Sequence, residues 1–203
     1  TTVARRLAAD LNCVYVDTGS LYRGVAYEIL QQKIDWQNDT ALERFLAQLD
    51  LNFNMDKQTL VLTSQGSDIS AMIRTPEISM LASSVSAKPQ VRAALLDIQK
   101  RIGAENDAVF EGRDMGTVVF PDAPYKFFLF ADINVRARRR CEEMPESQRD
   151  IDRVREQMAL RDTNDATRTT APLKPAPDAI SIDSTTLTVD QVVRQMIQWI
   201  KKA

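Results

Sequence analysis

Histidine occurs at none of the 203 positions. Without an imidazole there is no Ser–His or Cys–His nucleophile pair and no common zinc site. Any chemistry must therefore run on carboxylates, arginine, lysine and oxygen nucleophiles. Phosphoryl transfer satisfies that restriction, because it is mostly positioning and charge neutralisation. Cysteine is nearly absent too. Cys13 and Cys141 lie far apart without metal-ligand spacing, the pattern of isolated thiols in a reducing compartment. No signal-peptide pattern occurs, and no apolar run is long enough to span a bilayer, so a soluble, cytoplasmic protein with no membrane partner is expected. Neither charge sign dominates: 26 Lys and Arg stand against 28 Asp and Glu, a net charge of −2. No basic excess recruits nucleic acid and no acidic tail signals disorder, so a local cluster of positive charge is a placed feature. Repeats and low-complexity stretches are missing as well. The 44% hydrophobic content is enough for one sizeable core, one domain with room for a smaller insert.

Apolar periodicity places helices from Val3 to Leu11, Ser20 to Gln32, Pro76 toward Val85, Pro89 to Ile102 and Val189 to Ile200, the last started by Thr188. Charged, helical sequence covers Val135 to Leu160. Cys13–Val16, Ala108–Phe110, Phe127–Phe130 and Ala179–Asp183 are apolar strands; Leu51–Asn54 and Thr59–Leu62 alternate like a hairpin. Strands separated by helices, with continuous apolar runs, predict an α/β fold with a parallel sheet covered on both faces. Ligands of such folds bind at the carboxyl ends of the strands. The hairpin marks Leu51 to about Ser86 as the insert.

The conspicuous polar groups fall at those strand ends. Asp17-Thr18-Gly19-Ser20 alone matches the aspartic-protease signature, but such enzymes need two copies sharing a proton and an all-β setting, whereas helices flank this one. The plain structural reading is a strand-to-helix turn, bent at Gly19 and capped by Thr18 or Ser20. It leaves Tyr22 and Arg23 unexplained; one turn into the helix, both can face an anion near its N-terminus. Glu111-Gly112-Arg113-Asp114-Met115-Gly116-Thr117 follows the next buried strand. A salt-bridged turn accounts for it equally well, but Arg113 offers a planar fork for phosphate oxygens and Asp114 an acceptor for a base amino group. Arg161, Asp165 and Arg168 stand at i, i+4 and i+7, which is either a surface ion-pair ladder or a lid lowering arginines onto a phosphate. Arg136, Arg138, Arg139 and Arg140 form a basic patch that Glu142, Glu143 and Glu146 can offset. Ser83, Ser84 and Arg92 lie on the two Pro-initiated helices and carry no signal singly.

Taken in order, these stretches resemble the bacterial cytidylate kinases, nucleoside monophosphate kinases that convert CMP or dCMP to the diphosphate with ATP. The resemblance covers nearly the whole chain: Thr2-Val3-Ala4, Asp17 to Arg23, Ile73 to Glu77, Val91 to Leu96, the especially specific Gly112 to Pro121, Arg161-Asp162, Ala171-Pro172-Leu173 and Asp183 to Thr186. It implies a three-layer P-loop kinase core (1–50, 87–134 and 172–203), a nucleotide-monophosphate-binding insert (51–86) and a helical lid (135–171). It also implies ATP and Mg2+ as cofactors, CMP and dCMP as substrates, no nucleic-acid partner and a monomer. By the same resemblance Arg23, Arg113 and Arg168 clamp the acceptor phosphate, with Asp17 at the reaction centre and Thr18 and Tyr22 beside the substrate. Ser83, Arg92 and Asp114 look like the cytosine-reading set, and Arg161 with Asp165 like the sugar contact. Arg161 also helps neutralise the transferring group.

Two departures from the family pattern stand out. A glycine-rich loop ending in Gly-Lys-Gly-Thr is expected before Val3, where the sequence carries only Thr1-Thr2; Thr2 reads as its remnant, and a loop, its Lys and a first strand are expected upstream. The Met144–Arg149 stretch is short and lacks the glycine common there. A UMP/CMP-type kinase of the same fold is the alternative enzyme. A nucleotide- or RNA-binding module using the Arg136–Arg140 patch is the non-enzymatic one, disfavoured by the low aromatic content and small negative charge.

Overall fold

The structure is a computed structural model that describes residues 2–56 and 59–202; Thr1, singled out above, lies outside them. Helix α1 (Thr2–Leu11) turns Leu7 and Ala8 inward and runs into strand β1 (Val14–Asp17). Helix α2 (Thr18–Gln31) starts directly at the end of that strand and buries Leu21, Val25, Ala26 and Ile29. Helix α3 (Asp39–Ala47) was not foreseen from periodicity. Only Leu42 and Phe45 of it are buried, too few apolar positions to register as a repeat, and its start depends on Asn38 accepting from the Ala41 N–H.

The expected hairpin forms, with β2 (Leu51–Asp56) antiparallel to β3 (Thr59–Ser64), followed by the short β4 (Ser67–Asp68). Helices α4 (Pro76–Val85) and α5 (Pro89–Glu105) each take proline in the first turn, where its missing N–H costs nothing. Strand β5 (Ala108–Glu111) pairs in parallel with β1, setting Asp17 opposite Glu111. Strands β6 (Phe127–Phe130) and β7 (Ile180–Asp183) form a second parallel pair. The parallel architecture is thus two separate two-stranded ladders among the described residues. Cover on both faces does not extend to the end of β6, where Leu129 and Phe130 are 40% and 45% exposed.

The charged segment after β6 is two helices, α6 (Ile133–Glu142) and α7 (Ile151–Thr167), instead of one. Pro145 disfavours helix at the residue before it, and Asp150 restarts the chain by accepting from the Arg153 N–H. Helix α8 (Val189–Lys202) opens with a reciprocal cap: Thr188 accepts from the Gln191 N–H and the Gln191 side chain accepts from the Thr188 N–H.

The largest core joins α2, α3, α4, α5 and the hairpin through Leu21, Val25, Leu42, Leu51, Leu62, Ile73, Val85 and Leu95. Burying each such side chain contributes roughly 1.5–3 kcal/mol. A second cluster packs α8 on α1 and β7 through Leu7, Ile182, Val192, Val193 and Met196, and a third joins α6 to α7 through Ala137, Cys141 and Val154. One consequence matters for function. The in-register β1–β5 pair delivers Asp17–Arg23 and Gly112–Thr117 side by side at the carboxyl ends of both strands.

Candidate active site

Asp17 occupies the N-cap position of α2 but does not cap it. Its carboxylate is drawn instead to Arg23, one turn into the helix, whose Nη2 donates to Asp17 Oδ2 at 2.7 Å and to Ser20 Oγ at 3.1 Å. Thr18 does not cap the helix either; its hydroxyl crosses to donate to the Glu111 carbonyl at 2.7 Å, tying α2 to the end of β5. Burial alone would raise the Asp17 pKa, but Arg23, Ser20 and Arg74 outweigh it and hold the carboxyl below its ordinary value. The Arg23 Nε is buried without a partner among the described residues.

After β5 the chain passes Gly112 and Arg113 to Asp114, then makes one π-helical turn, Met115–Val119. The N–H groups of Val118 and Val119 both return to the Asp114 carbonyl, a wide turn of a kind often found at functional sites. Gly112 is required by close approach, since a Cβ there would lie 2.5 Å from Thr18 Oγ1 and 2.8 Å from Met115 Cε. Asp114 is buried and ion-paired with Arg92, which comes from α5, donates to the Ser86 carbonyl at 3.1 Å and lies 5.4 Å over the ring of Tyr22. Burial raises the Tyr22 phenol above its ordinary value; Arg92 opposes the rise and Asp114 adds to it.

The centre of the site is Asp165, 4% exposed near the end of α7. Arg113 Nε donates to its Oδ2 at 2.9 Å, Arg168 Nη1 approaches Oδ1 at 3.5 Å, and Arg161 Nε stands 3.9 Å from Oδ2. Three guanidiniums from two distant stretches thus converge on one buried carboxylate, and Arg23 is near enough to repel Arg161. Arg168 is not on the helix face that its spacing suggested. It is the C-cap of α7 with extended backbone (φ −62°, ψ 143°), and its Nε donates to the carbonyl of Ala171 at 2.7 Å. Ala171 itself is held at φ 49°, a left-handed conformation costly for a residue with a Cβ. Desolvation lowers the pKa of Arg161, as do Arg113 and Arg23; for Arg168 the causes are desolvation and then Arg92. Arg168 Nη2 is buried and unpartnered among the described residues. In the ion pairs of this group among the described residues, the five guanidiniums of Arg23, Arg92, Arg113, Arg161 and Arg168 meet the three carboxylates of Asp17, Asp114 and Asp165, with Asp162 and Arg74 acting on Arg161 and Asp17 from its edge. Such a cluster calls for an anion.

Two cavities adjoin it. One, of about 170 Å³, is lined by Ser83, Ser84, Ala87, Asn164, Asp165 and Arg168. The other, of about 200 Å³, has Tyr22, Arg92, Gln99 and Asp114 among its polar walls and Leu96, Val118 and Val119 among its apolar ones. Arg92, Asp114 and Tyr22 are thereby brought together, while Ser83 faces the other cavity beside Asp165. Ser86 bridges the two, its carbonyl on Arg92 and its hydroxyl 3.4 Å from Arg168 Nη1. Thr2 is the exposed first residue of α1.

Ser86 and Gln99 line or brace these cavities and were not picked out from the sequence, whereas Ala171 was noted only as part of the Ala171-Pro172-Leu173 stretch. A third serine in Ser83-Ser84-Val85-Ser86, and a lone amide on the apolar face of α5, were the only signals available. The Arg136–Arg140 patch is largely consumed internally. Arg136 Nη2 donates to Asp162 at 2.6 Å, Arg139 Nη2 to the Ser184 carbonyl at 2.8 Å, and Arg140 pairs with Glu143 at 3.3 Å. Among the described residues no helix is long and apolar enough to cross a membrane, and no group of three or more Cys, Asp or Glu is placed to hold a metal ion.

Comparison of the sequence with known proteins finds relatives in one family. A family model described as cytidylate kinase matches residues 1–202. The cytidylate kinase of Syntrophotalea carbinolica is 40% identical over 199 residues, 97% of this chain and 85% of the relative. That of Citrifermentans bemidjiense is 39% identical over 203 residues, covering 99% of this chain and 87% of the relative. That of Methylococcus capsulatus is 43% identical over 195 residues, 95% of this chain and 87% of the relative.

Proposed function

Because the chain belongs to the cytidylate kinase family, with the P-loop kinase α/β fold and ATP-dependent phosphorylation of CMP or dCMP that go with it, we propose that the arginine group around Asp165 is where the acceptor phosphate binds. The reaction moves the γ-phosphoryl of ATP to the nucleotide, giving CDP or dCDP and ADP. The observation that carries the assignment is the convergence of Arg113, Arg161 and Arg168 on one buried carboxylate, with buried nitrogens on Arg23 and Arg168 that have no partner among the described residues. Arg23, Arg113 and Arg168 hold the acceptor phosphate, lowering the repulsion between two polyanions that must approach in line. Arg161 spreads the charge of the transferring group. Asp165 keeps the arginines assembled in the absence of substrate and, with Arg161, contacts the sugar.

The cavity walled by Tyr22, Arg92 and Asp114 takes the base, where a carboxylate and a guanidinium complement the amino donor and ring acceptors of cytosine. Ser83 contributes from the adjoining cavity. Thr18 fixes the start of α2, and Thr2 lies on the ATP side. Asp17, held ionised by Arg23, fits Mg2+, which needs only one or two protein carboxylates beside phosphate oxygens and water. When bound with ATP the ion neutralises phosphate charge. Segments 51–86 and 135–171 act as nucleotide-binding insert and lid on a monomeric core.

A coupled assay of ADP release from a catalytically competent preparation tests the assignment. Arg113→Ala and Arg168→Ala each lose roughly 10³–10⁵ in turnover if they contact the transferring or acceptor phosphate. Turnover within tenfold of the parent in either variant removes that residue from the clamp. Loss of preference for CMP and dCMP over UMP in Asp114→Asn locates base reading at Asp114; an unchanged preference moves it elsewhere.

A further inference from the structure

Gln99 is 1% exposed and lies on α5 two helical turns after Arg92, on the wall of the cavity assigned above to the base. Its Nε2 donates to the Leu95 carbonyl one turn back, at 3.0 Å. That bond engages the amide nitrogen, which also lies close enough to donate to the Tyr22 phenol, and it leaves the other end of the amide, Oε1, free of the helix. Among the described residues this oxygen has no partner. A buried amide carbonyl left unpaired is costly, and such groups are few in folded proteins. Three apolar side chains, Leu96, Val118 and Val119, share the cavity wall with it, so the unpaired carbonyl stands beside apolar surface that cannot satisfy it. An apolar residue of the same volume would fill the position at no such cost.

The charged groups of that cavity are already paired with each other. Asp114 is paired with Arg92, Arg92 also reaches the Ser86 carbonyl, and the Tyr22 ring lies beneath Arg92. The oxygen of Gln99 is a buried acceptor on this wall that has no partner among the described residues. A flat ring entering between Arg92 and the apolar wall brings one strong donor that needs such an acceptor, the exocyclic amino group at position 4 of cytosine. Uracil carries a carbonyl at that position and would set two acceptors against each other.

We propose that Gln99 is a specificity-determining residue whose side-chain carbonyl accepts a hydrogen bond from the exocyclic amino group of the bound pyrimidine and disfavours the 4-keto base. The inference rests on the reading of this cavity as the base site. Asp114 discriminates through its charge; Gln99 adds a neutral acceptor from a different element, α5. Loss of one such bond is worth about tenfold in relative affinity.

The test is the ratio of kcat/KM for CMP to that for UMP, measured for the parent, Gln99→Met, Gln99→Glu and Asp114→Asn, with thermal unfolding of each. Gln99→Met keeps the volume and removes the acceptor. Its CMP-to-UMP ratio falls about tenfold, mainly through KM for CMP, while its unfolding temperature stays level or rises because an unsatisfied carbonyl is gone. A ratio equal to the parent's overturns the proposal, as does a folded variant that loses activity equally on both nucleotides. Gln99→Glu keeps an acceptor of the same reach and covers a failure of the methionine variant to fold: its ratio stays at or above the parent's, and a fall overturns the proposal. Asp114→Asn separates the two readings. A changed ratio there with an unchanged ratio in Gln99→Met rejects the role of Gln99 alone; unchanged ratios in both reject the base-site assignment.

Discussion

Replacing Asp165 with Asn would remove the one carboxylate that three arginines share while leaving its shape and one acceptor in place. The contributions differ with exposure. The Arg168 and Asp165 side chains are 8% and 6% exposed, so this is a buried pair, and breaking it by neutralising one partner costs roughly 3–5 kcal/mol. Arg113 and Arg161 are 39% and 46% exposed, and solvent reduces the loss of each of these contacts to about 0–1 kcal/mol. The amide oxygen of Asn recovers part of the total, which leaves a destabilisation of about 3 kcal/mol. For a chain of this length that lowers the unfolding temperature by roughly 6–12 °C. The assay is urea denaturation of the parent and Asp165→Asn, each with and without inorganic phosphate. With the internal anion gone, added phosphate raises the stability of the variant more than that of the parent, because a ligand of the native state stabilises by mass action. A variant within about 1 kcal/mol of the parent, and no more responsive to phosphate, would refute Asp165 as the group that holds the arginines together.

Other outcomes follow from the same geometry. Asp17 titrates below its ordinary value of 3.8 in the folded chain, so its contribution to stability is present above that value and is lost as the pH falls through the folded pKa; Asp17→Asn flattens this part of the acid-unfolding curve relative to the parent. Gly112→Ala drives a methyl group toward Thr18 Oγ1 and Met115, costs about 1–3 kcal/mol and lowers kcat/KM as Thr18 is pushed off the Glu111 carbonyl, which denaturation and steady-state kinetics together report. Leu95→Ala, at a fully buried position in the largest core, costs about 2–5 kcal/mol in a denaturant titration and leaves the CMP-to-UMP ratio unchanged.

Much of the molecule was legible from one sequence. The elements that carry the site announce themselves locally: an apolar strand ending in Asp17, another ending in Glu111, proline at the head of α4 and α5, Thr188 before α8. These signals are short-range, set by side-chain periodicity, caps and proline geometry, and need no partner to be read. Helix α3 escaped because its stability lies in two buried contacts and an Asn38 cap. The break between α6 and α7 was masked by charged residues common to helix and loop alike.

The list of arginines and carboxylates, and the family resemblance carried by the Gly112–Pro121 stretch, were likewise available before any coordinates. Which charge meets which was not. The spacing of Arg161, Asp165 and Arg168 suggested one helix face, whereas Arg168 lies beyond the helix end and returns to Asp165 through an extended residue. Arg113 reaches the same carboxylate from 52 positions away in sequence, and Arg92 reaches Asp114 from 22 positions away. The cap expected from Thr18 became a bond to the end of a neighbouring strand, because the parallel β1–β5 register puts the Glu111 carbonyl within its reach. Composition and local pattern decided that this chain would be an α/β protein with arginine-rich strand ends. Only packing decided that three of those arginines meet at one buried carboxylate and that Gln99 lies on the wall of the cavity beside Arg92 and Asp114, since pairings between distant residues depend on how strands register and helices cross.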